Sequence, residues 1–527
     1  MELSNNKNST GAENIISNTH PSLPKGWVWV RLGDICYTAT GGTPSRKVSL
    51  FYCGNIPWLK SGELNDSIIY DSEEKITEIA LNSSSAKIFP KGTLLIALYG
   101  ATVGKLGILG IDAATNQAIC GIYINQKILI QKYLFYFLHS YRKNLLEKRF
   151  GGAQPNISQA TVKNIILPLP SLAEQHRIVA KIEELFTKLD AGVEALKKAK
   201  EQIKRYRQAV LKYAFEGKLT EEWRKSFELS ILNDELKQTQ NPQLNTQHST
   251  FKTENSTFNT QHSKFTTQNY EPASVLLERI KEERKKKLGK KHKELPPVYT
   301  SELPELPKGW VWTRIGDVTE VTPEDNFSNL DPSLPTTFVP MSAIDENTGT
   351  IKNPETLPLK DARKGHTHFR ENDILFARIT PCMENGKSAV ATKLINGIGF
   401  GSTEFIVIRP PRDILPKFIF HFIRQETFRF KAKAHFKSTV GQLRVPKGFV
   451  INAEIPLPPL LEQHRIVEEI ERRFSVADEV EKTIDQCLKQ AERLRQSILK
   501  KAFEGKLVPQ DPNDEPAEKL LERIKNV

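Results

Sequence analysis

The spacing of hydrophobic residues along the chain predicts short buried strands combined with amphipathic helices. Continuous apolar runs at Thr93–Tyr99 and Ile119–Ile124 indicate strands covered on both faces, and Tyr133–Lys148 has helical spacing. The second half of the chain contains three matching segments: Asp373–Ile379, Glu404–Ile408 and Phe418–Phe430. The pattern therefore predicts two α+β domains of one kind.

A long helix is predicted after each domain. The first begins at Ser171, where Ser171 and Glu174 fit a capping box, and ends near Gly217. Its apolar or small positions step alternately by four and three residues, which is the heptad spacing of a coiled coil. The main seam positions are Ile178, Ile182, Leu189, Leu196, Ile203 and Val210, with Leu185, Gly192, Ala199 and Tyr206 between them.

The second long helix has a seam at equivalent positions. Its members are Ile466, Ile470, Val480, Ile484, Leu494 and Ile498, with Ala477, Cys487, Ala491 and one charged residue, Arg473, between them. A lone helix of some 44 residues, about 66 Å long, would expose such a seam. We therefore predict that the two helices cover each other as an antiparallel coiled coil in a pseudo-two-fold arrangement. The alternative is that each helix packs on its own domain.

Short motifs occur twice in the same order. LPKGWVW at Leu23–Trp29 returns at Leu306–Trp312, EQHRIV at Glu174–Val179 returns at Glu462–Val467, and AFEGKL at Ala214–Leu219 returns at Ala502–Leu507. Gln175 and Gln463 are 288 positions apart, as are Phe215 and Phe503. The segment between these motifs therefore has one length in both copies, whereas the loops of the two domains differ.

These observations divide the chain into eight parts. The predicted parts are a disordered tail at 1–22, an α+β domain at 23–170, a long helix at 171–218, a flexible Thr/Gln/Asn-rich linker at 219–270, a basic helix and connector at 271–302, a second α+β domain at 303–458, a second long helix at 459–506 and a C-terminal tail helix at 507–527.

Composition favours an anionic partner. The chain has 75 Lys and Arg against 62 Asp and Glu, which gives a net charge of +13. This charge favours nucleic acid over a membrane surface as the partner. Its five cysteines lie far apart without a CxxC pair, so neither a zinc ribbon nor a disulfide framework is indicated. The polar residues 1–20 do not resemble a signal peptide, and no apolar run approaches a membrane span.

Catalytic signatures are weak. The segment Gly100–Lys105 approaches a phosphate-binding loop, but Leu106 stands where Ser or Thr would bind magnesium. His366 and His368 alternate as on a strand without further ligands at metal-binding spacing. The sequence therefore predicts neither a metal site nor a catalytic centre.

Cations and amide side chains near the divergent loops form a candidate DNA-binding set. The cations suit phosphates, and Gln, Asn and Arg have the geometry that pairs with adenine and guanine edges. The candidates are Arg46, Lys60, Lys105, Arg149, Gln154 and Asn156 in the first half, and Lys387, Arg429, Lys433, Lys437, Gln442, Arg444 and Lys447 in the second. Arg424 and Lys431 belong to the same basic segment, in which Phe428, Phe430 and Phe436 are interleaved.

The motifs WVWVRLGDI, GGTPSR, PWLKSGEL, PLPSLAEQHRIV and AFEGKL resemble those of the specificity subunit of type I restriction-modification enzymes. The resemblance implies two target recognition domains that read a split, asymmetric double-stranded DNA target, separated by an antiparallel helical spacer. It implies no catalytic centre in this chain. The expected partners are two modification (methyltransferase) subunits, which use S-adenosylmethionine, and restriction subunits, which use ATP and Mg. The expected location is the bacterial or archaeal cytoplasm.

Two other classes stay open at this point. A fused restriction or methylation enzyme would turn over S-adenosylmethionine or ATP without other subunits, and a coiled-coil scaffold would bind DNA without sequence preference. The repeated EQHRIV motif also has two interpretations. It either joins each domain to the base of its helix, which we favour slightly, or forms a docking surface used once per partner.

Overall fold

A computed structural model describes residues 21–147, 156–240, 271–289, 294–439 and 441–525. Contacts divide the chain into two compact units, one formed by residues 1–198 with 484–527 and the other by residues 199–483. Each unit therefore combines a domain from one sequence repeat with helical residues from the other repeat.

The first repeat contains eleven strands and seven α-helices within the described residues. The strands are β1 Val28–Arg31, β2 Cys36–Thr40, β3 Ile56–Leu59, β4 Ser67–Ile69, β5 Glu74–Ile76, β6 Ile88–Phe89, β7 Leu94–Ala97, β8 Leu106–Leu109, β9 Ala113–Thr115, β10 Ile119–Ile124 and β11 Ile166–Leu169. The helices are α1 Leu32–Ile35, α2 Glu78–Asn82, α3 Gln131–Glu147, α4 Gln159–Lys163, α5 Leu172–Phe215, α6 Glu221–Gln240 and α7 Ala273–Leu288.

The second repeat continues with twelve strands and seven α-helices in its described part. The strands are β12 Val311–Arg314, β13 Glu320–Val321, β14 Pro335–Val339, β15 Glu355–Pro358, β16 Thr367–Arg370, β17 Ile374–Ala377, β18 Ser388–Val390, β19 Ile398–Gly401, β20 Phe405–Arg409, β21 Lys437–Thr439, β22 Gln442–Arg444 and β23 Glu454–Leu457. The helices are α8 Ile315–Val318, α9 Leu359–Ala362, α10 Pro416–Ile423, α11 Glu426–Ala434, α12 Lys447–Asn452, α13 Leu460–Phe503 and α14 Ala517–Lys525.

The first domain is built on two mixed sheets and a short antiparallel pair. Their strand orders are β2-β10-β7-β8-β4, β5-β3-β9-β6 and β1-β11. Strand β7 is buried at all four positions because β8 and β10 flank it and side chains cover both of its faces. Helix α3 buries Tyr133, Leu134, Phe137 and Leu138, the helical spacing that the sequence predicted.

The second domain has a similar arrangement, with one antiparallel sheet, one mixed sheet and a short antiparallel pair. Its sheets have the orders β13-β20-β17-β18, β15-β14-β19-β16 and β12-β23, and the hairpin β21-β22 is added to them. The segment Phe418–Phe430, which matches the helix of the first domain, is divided between α10 and α11 because the chain turns at Arg424 and Gln425.

The long helices run antiparallel within each unit. In the first unit the α13 residues Ile498, Leu499 and Ala502 share a core with the α5 residues Ile178 and Ile182. The early part of one helix thus meets the late part of the other. In the second unit the same relation holds between the end of α5, at Val210, Leu211 and Ala214, and the start of α13, at Ile466 and Ile470.

The predicted seam is wrong at four positions. Val480 and Leu494 are 47% and 49% exposed, Tyr206 is 44% exposed, and Gly192 is also exposed. Charged side chains adjoin two of these positions. Glu481 follows Val480, Arg495 follows Leu494, and both bind the facing helix through ion pairs. A heptad pattern identifies apolar positions but does not show where ionic contacts replace them.

The predicted linker at 219–270 is wrong in its first part, because α6 is helical. Glu221 and Glu222 in its first turn favour a helix N-terminus, and the rings of Trp223 and Phe227 stack at 5.1 Å. Residues 241–270 lie outside the described part of the chain. Helix α7 lies within the predicted basic helix and buries Ala273, Leu276, Leu277 and Ile280, while the lysines of its last turn are exposed.

Candidate nucleic-acid interface

In each domain a loop begins where a central strand ends. The loop ends at a lysine whose backbone carbonyl is hydrogen-bonded to the last residue of that strand. After β7 the loop runs to Lys105, whose carbonyl accepts from the Ala97 N–H at 2.9 Å. After β17 the loop runs to Lys387, whose carbonyl accepts from the Ala377 N–H at 3.1 Å. Lys105 and Lys387 thus occupy equivalent places, and both are half-buried.

A second strand segment pairs with each loop at an equivalent position. Asn156 forms an isolated β-bridge with Tyr99, and Arg444 forms one with Ile379. Asn156 and Arg444 are 288 positions apart, the interval that also separates the EQHRIV motifs. The structure therefore brings Asn156 close to the loop that ends at Lys105, and its Oδ1 accepts from the Gly100 N–H at 3.3 Å.

Arg444 is held in place by a carboxylate that the sequence did not single out. The Arg444 Nη2 lies 2.8 Å from Glu404 Oε1, and its Nε lies 3.0 Å from both carboxylate oxygens. This hydrogen bonding raises the pKa of Arg444 further above its usual value. Gln442, on the same strand, accepts from Arg444 Nη2 at 3.1 Å. The guanidinium is therefore fixed in orientation.

The hairpin β21-β22 presents cations to solvent. Lys437 is exposed at its start, and Gly441 adopts a φ of +74° in the turn, a backbone region that favours glycine. Lys447 is exposed just beyond the hairpin. Within the described residues, neither lysine forms an ion pair, so both charges are available to an anionic partner.

The cations of α11 divide between solvent and the loop ending at Lys387. Arg429 donates to the Glu384 carbonyl at 2.6 Å, and Lys433 forms an ion pair with the Glu384 carboxylate at 2.7 Å. Phe430 on the same helix is 75% exposed. The neighbouring Lys387 Nζ donates to the Met341 carbonyl at 3.4 Å.

Arg424 is not a surface cation, contrary to its place in the predicted basic segment. It donates to the carbonyls of Glu346 and Asn347 at 2.9 and 2.6 Å, and its guanidinium lies 5.1 Å from the centre of the Phe420 ring. Burial lowers the pKa of Arg424 to about 10. Its role is to fix the loop that follows β14.

The two cations predicted in the early part of the first domain share acidic partners. Arg46 binds Glu74 at 2.5 Å, and its guanidinium lies 4.2 Å from the Tyr52 ring centre. Lys60 binds Glu73 and Glu74 at 2.9 and 3.1 Å. These contacts fix both cations but partly neutralise them.

Two of the candidate residues, Arg149 and Gln154, lie outside the described residues. Glu74 and Glu404 are the positions that sequence analysis missed. Both lie far along the chain from the cations they bind, and no local pattern marks such a pairing.

The EQHRIV motif joins each domain to its helix. Gln175 accepts from the Ile130 N–H at 2.8 Å and donates to the Ile128 carbonyl at 2.9 Å. Gln463 accepts from the Leu415 N–H at 3.1 Å. Both glutamines are fully buried, and this confirms the structural interpretation of the motif at these positions.

The glutamate of the motif anchors the tryptophan of the other repeated motif. Glu174 accepts from Trp27 Nε1 at 2.9 Å, and Glu462 accepts from Trp310 Nε1 at 2.7 Å. Burial raises the pKa of both carboxyl groups. Ser171 accepts from the Glu174 N–H at 3.0 Å, so only half of the predicted capping box forms because the carboxylate binds the tryptophan instead.

No cluster of three or more metal-ligating side chains occurs among the residues that the structure describes. His368 Nε2 accepts from the Asp325 N–H at 3.0 Å, and His366 Nδ1 lies 3.1 Å from the Ala362 carbonyl oxygen. In this described part of the chain, no helix is long and apolar enough to cross a membrane.

The family model for the type I restriction modification DNA specificity domain matches residues 24–205 and 307–490. The chain belongs to this family, which confirms the resemblance stated from its motifs. The two matched regions correspond to the two sequence repeats, each a domain with the greater part of its long helix.

Curated relatives carry the same description. The chain is 36% identical over 303 residues to the EcoAI specificity subunit of Escherichia coli, and this match covers 49% of the chain and 51% of that relative. The chain thus spans about half the length of that relative. It is 26% identical to the Escherichia coli EcoDI specificity subunit over 95% of both proteins.

A solved structure supports the fold. A chain in a structure of the type I R-M system is similar with a TM-score of 0.60 and 17% identity, covering 92% of this chain and all of that one. The predicted class, two similar α+β domains with long paired helices, is confirmed.

Replacing Gln175 or Gln463 with alanine tests the structural role of EQHRIV. Each change leaves buried backbone groups without a partner, and we expect the free energy of unfolding to fall by about 2 kcal/mol. Urea unfolding of the full chain measures it. The control is His176→Ala at the exposed neighbouring position. Its free energy of unfolding should stay within about 0.5 kcal/mol of the wild-type value. Equal effects at Gln175 and His176 would contradict the assignment.

Proposed function

We propose that this chain is the DNA sequence-specificity subunit of a type I restriction-modification complex. Its two domains read the two parts of a split, asymmetric target in double-stranded DNA. The chain provides a docking frame for two methyltransferase subunits and for ATP-dependent endonuclease subunits. It has no catalytic centre of its own, and S-adenosylmethionine, ATP and Mg serve the partner subunits.

The observation that carries this proposal is that the same loop and β-bridge occur in both domains with different side chains at the bridge. Asn156 and Arg444 bridge to equivalent loops, yet an amide and a guanidinium pair with different base edges. Because the two side chains have equivalent positions, we expect the two domains to bind DNA in the same orientation. Because one side chain is an amide and the other a guanidinium, we expect the two half-sites to differ in sequence.

The charge distribution in the second domain supports contact with phosphates. Lys437 and Lys447 are exposed on either side of the strand that contains Arg444. Phosphate contacts position a protein on DNA without reading sequence, whereas side chains on base edges specify it. Cations around a fixed guanidinium and an amide provide both kinds of contact on one surface.

Restrained side chains favour specific binding. Arg46 is fixed by Glu74 and Tyr52, and Arg444 is fixed by Glu404. A side chain already held in one orientation loses less conformational entropy on binding. We therefore propose these two arginines, rather than the freely exposed lysines, as contributors to sequence discrimination.

Membership of the family supports the proposed docking of partner subunits. The relatives are named as specificity subunits of type I restriction enzymes, and this chain aligns with one of them over 95% of its length. The buried EQHRIV glutamines are used inside the fold. We therefore propose that partners contact the exposed faces of α5 and α13 and the domain surfaces.

Exchanging the first domain tests whether the two domains read independently. Residues 23–170 are replaced with the aligned residues of the EcoDI relative, whose match covers 95% of both proteins, and targets are selected from randomised duplexes. We expect one half of the selected target to change while the other half is retained, because each domain contacts its own half-site. The reciprocal exchange of residues 303–458 is the matched control. A change in both halves after either exchange would refute independent reading.

The same selection separates the competing classes. A wild-type chain that selects no sequence from the random pool would support a scaffold. Turnover of labelled S-adenosylmethionine or ATP by the chain alone would support a fused enzyme. A split sequence selected without turnover supports the proposal.

Changing Lys437 and Lys447 to alanine tests the phosphate contacts. Each lost contact should make the dependence of log affinity on log salt shallower by about 0.9, equally for target and random duplex. Fluorescence anisotropy over a salt series measures it. Lys360, an exposed lysine near the sheet containing β14 and β15, is the control when changed to alanine. An unchanged slope in the double variant would remove this surface from the interface.

A further inference from the structure

Two ion pairs join the long helices at matched positions. In the second unit Arg207 binds Asp478 at 2.5 Å and Glu481 at 2.8 Å. In the first unit Arg495 binds Asp190. The two arginines are 288 positions apart, and so are the two aspartates. The contact therefore occurs twice, once in each unit, with the roles of the helices exchanged.

Each ion pair stands where the apolar core of its unit ends along the helices. In the first unit the core reaches Phe186 and Ile498, and the Arg495 guanidinium lies 4.5 Å from the Phe186 ring centre. In the second unit the core reaches Val210 and Phe474. Beyond these points the helices lack the packing that a recognition domain provides.

The arginines are the buried members of these pairs. The side chains of Arg207 and Arg495 are 18% and 24% exposed, whereas the aspartates are mostly exposed. Lys200 adds a longer contact across the helices, 3.6 Å from Glu481, whereas pairs such as Glu194 with Lys197 join residues of one helix three positions apart. Pairs within one helix cannot hold two helices together. The interhelical pairs are thus distinguished by position and by burial.

We propose that Asp190–Arg495 and Arg207–Asp478 are positioning contacts that set the selectivity of the subunit for the gap between its half-sites. This inference rests on the proposed function. The charge-assisted contacts hold the helices together beyond the apolar cores and limit bending of the spacer. A stiff spacer accepts one separation of the half-sites, whereas a loose spacer accepts several.

The central seam explains why ionic contacts matter there. Leu189, Leu196 and Ile203 are only half-buried, and Leu494 is exposed. Apolar contacts are tolerant of small displacements, whereas a charge-assisted hydrogen bond from an arginine to a carboxylate is short and directional. Loss of these hydrogen bonds therefore affects the alignment of the helices more than it affects folding.

The test compares a double variant that loses the two aspartate charges with one that keeps them. Asp190→Asn with Asp478→Asn removes both matched carboxylates and leaves Glu481 as the remaining partner of Arg207, whereas Asp190→Glu with Asp478→Glu keeps both charges. The full chain is titrated with its selected target at the native gap and with the gap changed by one base pair. We expect discrimination between these gaps to fall roughly fivefold in the asparagine variant and to change less than about twofold in the glutamate variant.

Glu194→Gln is the matched control, because Glu194 pairs with Lys197 on its own helix. It should leave gap discrimination unchanged. Unchanged discrimination in a folded asparagine variant overturns the inference, as does an equal loss in all three variants. If the asparagine double variant does not fold, the single variants Asp190→Asn and Asp478→Asn are measured, and the same criteria apply to them.

Hydrogen exchange gives a second readout that needs no DNA. Amides in 189–203 and 475–491 should exchange about fivefold faster in the asparagine variant and at the wild-type rate in the glutamate variant. If the wild-type chain selects no split sequence, the proposed function fails. If it selects one and the asparagine variant keeps its gap selectivity and exchange rates, only the present inference fails.

Discussion

The structure depends on one packing relation that occurs twice. The end of each long helix packs an aromatic ring against the domain of the other repeat. The ring centres of Phe215 and Phe418 are 5.1 Å apart, and those of Phe503 and Tyr133 are 5.4 Å apart. A helix that begins on one domain and ends on the other must run antiparallel to its counterpart. The length of the helix is then a constraint on both repeats, which explains why this segment has one length in both copies.

The buried polar residues of the repeated motifs make this relation specific. Glu174 and Gln175 bind a tryptophan and the backbone of the first domain, and Glu462 and Gln463 do the same in the second. Buried donors and acceptors without a partner are costly, so a helix displaced by a single turn would lose these bonds. Identical polar residues recur because the joint has identical requirements.

Much of the fold could be predicted from the sequence because the local spacing of apolar residues indicates its strands and helices. The strand predicted at Ile119–Ile124 has those bounds in β10, and the predicted helix ending agrees with α5, which ends at Phe215 shortly before Gly217. Helix α6 was missed because the whole segment 219–270 was assigned to a linker from its polar composition, and the acidic residues that favour a helix N-terminus at its start were not considered separately. The seam failed at Val480 and Leu494 because residues on the facing helix decide which positions are buried.

The candidate interface was less accessible to sequence analysis. The residue types near the loops were identified, but Glu404 and Glu74, which orient two of the arginines, are supplied from distant parts of the chain. Arg424 was grouped with surface cations because its neighbours are basic, whereas the fold turns it towards backbone carbonyls. A cation's role depends on its partners in space, and those are a tertiary property.

The most direct test of the central claim is to lengthen both spacer helices by one heptad, after Lys197 and at the matched point after Asp485. Seven residues add about 10.5 Å, which is about three base pairs of duplex. Targets selected by this variant should retain both half-sites with a gap about three base pairs longer. An unchanged gap would show that the paired helices do not determine the separation, and it would contradict the account.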